Sequence, residues 1–314
     1  MPTAPALDEP VRALIQLAVR EDLGGLPDTH GDDVRSMESM DRTVALCIPP
    51  ELFATGTIVA RNFGIISGTF LIAEILKYYD SRFHCRIMIA DGRGVASGDI
   101  VAHITGPAGA LLSAERVVLN FIGRLSGIAT LTSQYVQAAA TGSAVHGPVV
   151  CDTRKTTPGW RTLEKYAVRC GGGVNHRMGL YDGVMLKDNH IAAWRRQHGS
   201  AASLADLTRN VRAKLPTSIP LWLEVDTLAQ LKEALPGAAD IILLDNMTLD
   251  QMRQAVYLRD EFHCGGPPLL EASGGVTLAT IAAIAATRVD RISVGALTHS
   301  APCLDLAMEI PANE

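Results

Sequence analysis

The spacing of apolar positions changes twice along the chain. Residues 9–23 place Val11, Leu14, Ile15 and Ala18 on one face at helical spacing, with Pro10 in the first turn, where its missing N–H costs nothing. That predicts an amphipathic helix, followed by a polar connector over 24–40. From 43 to 107 the pattern shortens to β segments, "TVALCI", "TGTIVAR", "CRIMIADG" and "DIVAHITGP", separated by Gly and Pro turns, with one helix at about 69–79. The stretch predicts a small α+β domain in which "DGRGVASGDIVAHITGP" reads as a plain β-hairpin. A long helix is expected over 114–140, with Ser113 as its N-cap and Val117, Val118, Phe121, Leu125 and Ile128 as its apolar face. Arg116, Asn120 and Arg124 fall four apart and read as a solvated stripe.

Beyond residue 147 the period settles. Apolar runs at 148–151, 183–186, 220–225, 240–244, 267–272 and 290–296 alternate with helical segments such as "SLADLTRNVRAKL" and "TLDQMRQAVYLRD". Strands separated by crossover helices pair in parallel. Six such units favour an α/β barrel, with an open doubly wound sheet as the alternative that the pattern leaves open.

A composition of 47% hydrophobic and 19% charged residues over 314 positions supports a sizeable core. The net charge of -5 points away from nucleic acid and from an anionic membrane as partners. Six scattered cysteines with no C-x-x-C pair read as reduced thiols. Asp8 and Glu9 stand where a signal peptide wants positive charge, and no apolar run reaches membrane-spanning length. A cytoplasmic protein is expected.

Nearly every strand of the second half ends in polar or glycine residues. Asp152, Arg154 and Lys155 follow the first strand, and Lys187, Asp188, Asn189 and His190 the second. Glu224 and Asp226, then Asp245 and Asn246, end the next two, Ser273, Gly274 and Gly275 follow the fifth, and the last leads into "VGALTHS". In a parallel barrel these ends share the C-terminal mouth, where active sites are built. One charged strand end reads as a loop-anchoring ion pair; six in register read as a site. Residues 152–190 hold seven Lys/Arg against four acids, so this part of the mouth suits carboxylate or phosphate oxygens. Glu224 and Asp245 suit hydroxyls or a divalent cation, and the glycine turns suit a phosphate. His176 alone would read as structural; beside Arg177 it reads as part of an anion site.

The segments "AERVVLNFIGRLSGIAT", "DTRKTTPGWRTLEKYAVRCGGGVNHRMGLYDGVMLKDNH", "LEVDTL", "ILLDNM", "EASGGV" and "VGALTHS" carry a resemblance. Together, in order from about 107 to 310, they resemble the quinolinate phosphoribosyltransferase family. The resemblance implies an α/β fold with an N-terminal α/β sandwich domain (1–127) and an incomplete, open α/β barrel of the type II phosphoribosyltransferase kind (128–299). A tail, 300–314, would return to the first domain. It implies transfer of phosphoribosyl from phosphoribosyl pyrophosphate to quinolinate with decarboxylation, with Mg²⁺ as cofactor. Thr153, Arg154, Lys155, His176, Arg177 and Lys187 would line the cationic pocket. Lys155, Lys187, Glu224 and Asp245 would be catalytic, with Glu224 and Asp245 also facing the ribose hydroxyls and Mg²⁺, partly through water. Ser273, Gly274, Gly275, Gly295 and Ala296 would hold the 5′-phosphate. The partner implied is a second copy, in a homodimer or higher even oligomer, with Arg116 contributed across the interface. Against the family's pattern, "EDLGGLPDTHGDDVRSMESMDRTV" is longer and more charged.

The competing expectations are a related transferase acting on a monocarboxylate such as nicotinate, a molybdenum-transport-associated relative, and a barrel that only binds a phosphorylated ligand. The crowd of cations favours a dicarboxylate over the first. The acids at Glu224 and Asp245 disfavour the last, because binding an anion gains nothing from nearby carboxylates unless a sugar or metal intervenes.

Overall fold

The structure is a computed structural model and describes residues 2–26, 40–142, 147–199, 201–262, 266 and 268–310. The chain forms two compact units: Met1–Ser133 with Thr156–Gly172 and Ser300–Glu314, and Gln134–Lys155 with Gly173–His299.

In the first unit the expected N-terminal helix forms as α1 (Glu9–Leu23). Asp8 caps it by accepting from the Val11 N–H, and Gly24, left-handed at φ 74, ends it. Four antiparallel strands, β1 (Phe53–Ala60), β3 (His84–Ile87), β5 (Ile100–Pro107) and β12 (Leu306–Glu309), form a sheet in the order β12-β1-β5-β3. The expected hairpin does not form. Its first arm, β4 (Gly94–Val95), pairs instead with β2 (Gly64–Ile65), while β5 lies between β1 and β3.

Two further expectations fail for local reasons. Residues 43–48 read as a strand because Thr43 and Val44 are β-branched, yet α2 (Arg42–Cys47) is helical. The Asp41 carboxylate accepts from the Thr43 and Val44 N–H groups and so stabilises the helical start. After α3 (Phe70–Leu76), the long helix α4 (Ala108–Thr141) starts directly after Pro107, six residues before the expected start. Ser113 is therefore inside it, and its hydroxyl donates to Asp41 at 2.8 Å instead of capping. Of the connector 24–40, residues 27–39 lie outside the described residues.

The stripe on α4 is only partly solvated. Arg116 and Asn120 are exposed, but Arg124 pairs at 2.7 Å with Glu164, whose side chain is 0% exposed. Glu164 lies on α5 (Arg161–Cys170) and also accepts from the Thr157 N–H and hydroxyl. Phe121 stacks on Trp160 at 4.6 Å beside it. An acid this deep is tolerable because Arg124 and both Thr157 donors satisfy its carboxylate.

The second unit holds six parallel strands: β6 (Val149–Cys151), β7 (Val184–Leu186), β8 (Leu221–Val225), β9 (Ile241–Asp245), β10 (Leu269–Ser273) and β11 (Arg291–Ser293). Their order is β6-β11-β10-β9-β8-β7. Each strand from β7 to β11 lies beside its successor, and the first, β6, lands beside the last. A doubly wound sheet must reverse direction at a switch point, and this order has none. The unit is wound as a barrel, and β6 and β7 are not paired with each other. Helices Leu204–Arg212, Leu228–Ala234 and Leu249–Glu261 start on Ser203, Thr227 and Thr248, each of which accepts an N–H from the first turn.

Period-2 alternation sorts the strands into two faces. Leu223, Ile242, Leu244, Leu270, Ala272 and Ile292 are fully buried on one. Glu224, Asp245, Glu271, Ser273, Arg291 and Ser293 lie on the other, and Asp245, Ser273 and Ser293 are the last residues of their strands, so polar groups reach the strands' C-terminal ends.

The Arg124–Glu164 pair yields a stability prediction. Glu164→Ala removes the buried acceptor of Arg124 and of the Thr157 N–H and hydroxyl, and should cost about 3–5 kcal/mol. A urea midpoint shift measures it; an unchanged midpoint would show that the pair contributes nothing.

Candidate active site

A cavity of about 330 Å³ opens at the C-terminal ends of the six strands. The cations Arg154, Lys155, Arg177 and Lys187 line it, and so do the carboxylates Glu224 and Asp245. Thr153, His176 and Ser273 complete the expected residues present, and Met185, Leu243 and Ser293 join them.

Each cation is held differently. Arg177 donates from Nη1 to the Gly183 carbonyl at 2.9 Å. Burial pushes its guanidinium below the usual arginine range, and repulsion from Arg154 adds to this, while Asp182 pulls the other way. Arg154 keeps a buried Nε with no hydrogen-bond partner among the described residues. The Lys155 carbonyl accepts from Thr298 at 2.7 Å, and a Cβ at Gly295 would lie 3.2 Å from the Lys155 side chain. Lys187 reaches Glu224 at 2.6 Å, so the cationic and acidic sides of the mouth meet in an ion pair.

The Arg177 N–H donates to His176 Nδ1 at 2.7 Å, and the ring stacks on Trp222 at 4.5 Å. Asp152, fully buried, fixes the segment by accepting from the His176 N–H and the Asn175 amide.

The match to known proteins is extensive. Residues 128–309 match the model of the quinolinate phosphoribosyl transferase C-terminal domain, and residues 41–126 match that of its N-terminal domain. This chain belongs to the quinolinate phosphoribosyl transferase family. The probable carboxylating nicotinate-nucleotide pyrophosphorylase of Bacillus subtilis is 43% identical over 253 residues, 81% of this chain and 82% of that protein. The carboxylating nicotinate-nucleotide pyrophosphorylase of Mycobacterium leprae is 40% identical, covering 86% and 91%. The crystal structure of NadC from Streptococcus pyogenes superposes with a TM-score of 0.83 at 34% identity, covering 98% of each chain.

Not every residue expected in this transferase's site lines the cavity. Gly274 and Gly275 form a left-handed turn at φ 95 and φ 60 directly after Ser273, and Gly295 and Ala296 stand at the start of the short helix Ala296–His299; none of the four is a lining residue. Arg116 belongs to the other compact unit, 66% exposed, with Glu115 at 3.8 Å. The charge excess of 152–190 is also divided: Arg161, Lys165 and Arg169 lie on α5, and only four of the seven cations line the cavity.

Sequence reasoning missed Glu271. It is 0% exposed in the interior and accepts from Arg291 Nε at 2.8 Å, from Trp222 Nε1 at 3.4 Å and from the Ser293 hydroxyl. Its Oε1 is 3.6 Å from His176 Nε2. The signal was an acid inside the apolar run "PPLLEA", two positions before Ser273 and so on the same face.

Glu224 and Asp245 can be tested against a divalent cation. Both are hard oxygen donors facing one cavity, which suits Mg²⁺. Among the described residues no three His, Cys, Asp or Glu side chains cluster as a metal cage, so the protein would supply part of the shell and the substrate phosphates the rest. Among the described residues, no helix is long and apolar enough to cross a membrane.

Glu271→Ala should destabilise the protein by about 3 kcal/mol or more, by stranding Arg291, whereas Ser273→Ala on the same strand should cost under about 1 kcal/mol. Chemical denaturation of the two variants checks this; equal midpoints would contradict it.

Proposed function

We propose that this chain transfers the phosphoribosyl group of phosphoribosyl pyrophosphate to quinolinate, releasing pyrophosphate and CO₂ and forming nicotinate mononucleotide, a step of NAD biosynthesis. The observation that carries the reading is the pairing of Arg154 with Arg177 in one cavity whose other side bears Glu224 and Asp245. Two guanidiniums that repel each other when the cavity is empty suit a ligand with two adjacent carboxylates. A monocarboxylate leaves one of them unmatched. The family membership and the names of the relatives support the same activity.

The residues' work follows from their chemistry. Arg154 and Arg177 hold the two carboxylates and set the pyridine nitrogen facing the ribose. Glu224 and Asp245 accept hydrogen bonds from the ribose hydroxyls and steady the sugar as positive charge grows at C1. Lys155 and Lys187 neutralise the departing pyrophosphate oxygens. Lys187 is already within 2.6 Å of Glu224, so one ion pair links the leaving-group side to the sugar side. Glu224 and Asp245 would hold Mg²⁺, which supplies charge neutralisation on the phosphate oxygens when bound. The ring nitrogen attacks C1 as the C1–O bond to pyrophosphate breaks. The quaternised ring then accepts the electron pair of the breaking C–C bond at its C2, CO₂ departs, and a proton takes its place. Exclusion of water from the ring by the bound carboxylates and the half-buried arginines strengthens the pull of the ring cation. Ser273, Gly274, Gly275, Gly295 and Ala296 bind the 5′-phosphate through backbone N–H groups.

The same reading divides the chain into an N-terminal domain to 127 and a barrel from 128 to 299, with the tail returning to the first. It also makes the protein a homodimer or an assembly of dimers, in which Arg116 of one copy serves the site of another.

Three measurements follow. Incubation with quinolinate, phosphoribosyl pyrophosphate and Mg²⁺ should yield CO₂ and the mononucleotide, and no product would end the proposal. Arg177→Ala should raise the KM for quinolinate about tenfold or more, the value of one charge-assisted contact; unaltered kinetics would remove Arg177 from the pocket. Heterodimers of inactive Arg116→Ala and inactive Lys187→Ala subunits should regain activity, and none in proven heterodimers would exclude a shared site.

A further inference from the structure

The strand end that carries Asp245 is followed by a strained residue that the chemistry above does not use. Asn246 has φ 52, one of two non-glycine residues with positive φ among those described. That conformation is costly for an L residue, although asparagine tolerates it better than most. In an extended strand, consecutive side chains point to opposite faces and cannot meet. The left-handed bend removes that limit. Asn246 Nδ2 donates to the Oδ2 of its own neighbour, Asp245, at 2.8 Å.

The same residue reaches the next strand. Its backbone N–H donates to the Ser273 carbonyl at 2.9 Å. A carboxylate only accepts, so the amide must present its nitrogen to Asp245 and turn its oxygen elsewhere. That oxygen faces Gly274, where an added Cβ would stand only 2.1 Å from it. The space for the Asn246 amide exists because residue 274 is glycine.

We propose that Asn246 is a positioning residue for the ribose and phosphate side of the site. It fixes the Asp245 carboxylate and holds it in register with the Ser273–Gly275 turn, so that the groups for the sugar and for the phosphate form as one unit. This deepens the proposed function and rests on it.

The test measures binding of phosphoribosyl pyrophosphate with Mg²⁺, and separately of quinolinate, by calorimetry, together with Tm. Asn246→Gly removes the amide and relieves the backbone. Binding of phosphoribosyl pyrophosphate should weaken about tenfold or more, quinolinate binding should change less than about twofold, and Tm should hold or rise. Asn246→Asp keeps the size and the left-handed tolerance but sets a like charge beside Asp245, and its loss should be at least as large. It decides alone if Asn246→Gly proves unstable. Both variants binding phosphoribosyl pyrophosphate as tightly as wild type, with only Tm lowered, would overturn the inference while leaving the function intact. Wild-type protein that binds neither ligand would overturn the functional reading, and this inference with it.

Discussion

Two guanidiniums in one small, partly desolvated cavity are a standing electrostatic cost, and the second compact unit is organised around it. Burial and Arg154 together disfavour the charge on Arg177. A protein has no structural reason to build such a pair, because a neutral side chain at either position would fill the cavity without repulsion. The arrangement makes sense when a ligand brings the compensating negative charge, and the cost then becomes selectivity.

Holding that pair requires a rigid frame. The segment with His176 and Arg177 is pinned by the buried Asp152, by the stack of His176 on Trp222, and by the Arg177 contact to Gly183. Glu271 ties Trp222, Arg291 and Ser293 together beneath the same cavity. Each of these acids is fully buried and fully engaged, which is the condition under which buried charge rigidifies a structure instead of weakening it. His176 belongs to the same frame, since its Nδ1 accepts from the Arg177 backbone N–H.

The barrel was legible because its strands are short apolar runs with polar ends, and that contrast survives in any context. Arg154, Lys155, Arg177, Lys187, Glu224 and Asp245 could be placed at one rim from it. What escaped notice depends on tertiary contacts. Thr43 and Val44 favour a strand locally, and only the cap supplied by Asp41 makes that stretch helical. Arg124 looked solvated because its partner, Glu164, lies 40 residues away on another helix. Glu271 was hidden by its apolar neighbours, although alternation with Ser273 would have exposed it. Ser113 was misread for the opposite reason, since a hydroxyl that can cap a helix can as readily bond to a distant carboxylate.

The central claim is that Arg154 and Arg177 together select a doubly charged ligand. Equilibrium binding of quinolinate and of nicotinate to wild type and to Arg154→Ala tests it most directly. Wild type should prefer quinolinate by about tenfold or more, and the preference should largely disappear in Arg154→Ala. Equal affinities in wild type, or a preference that survives the substitution, would contradict the account.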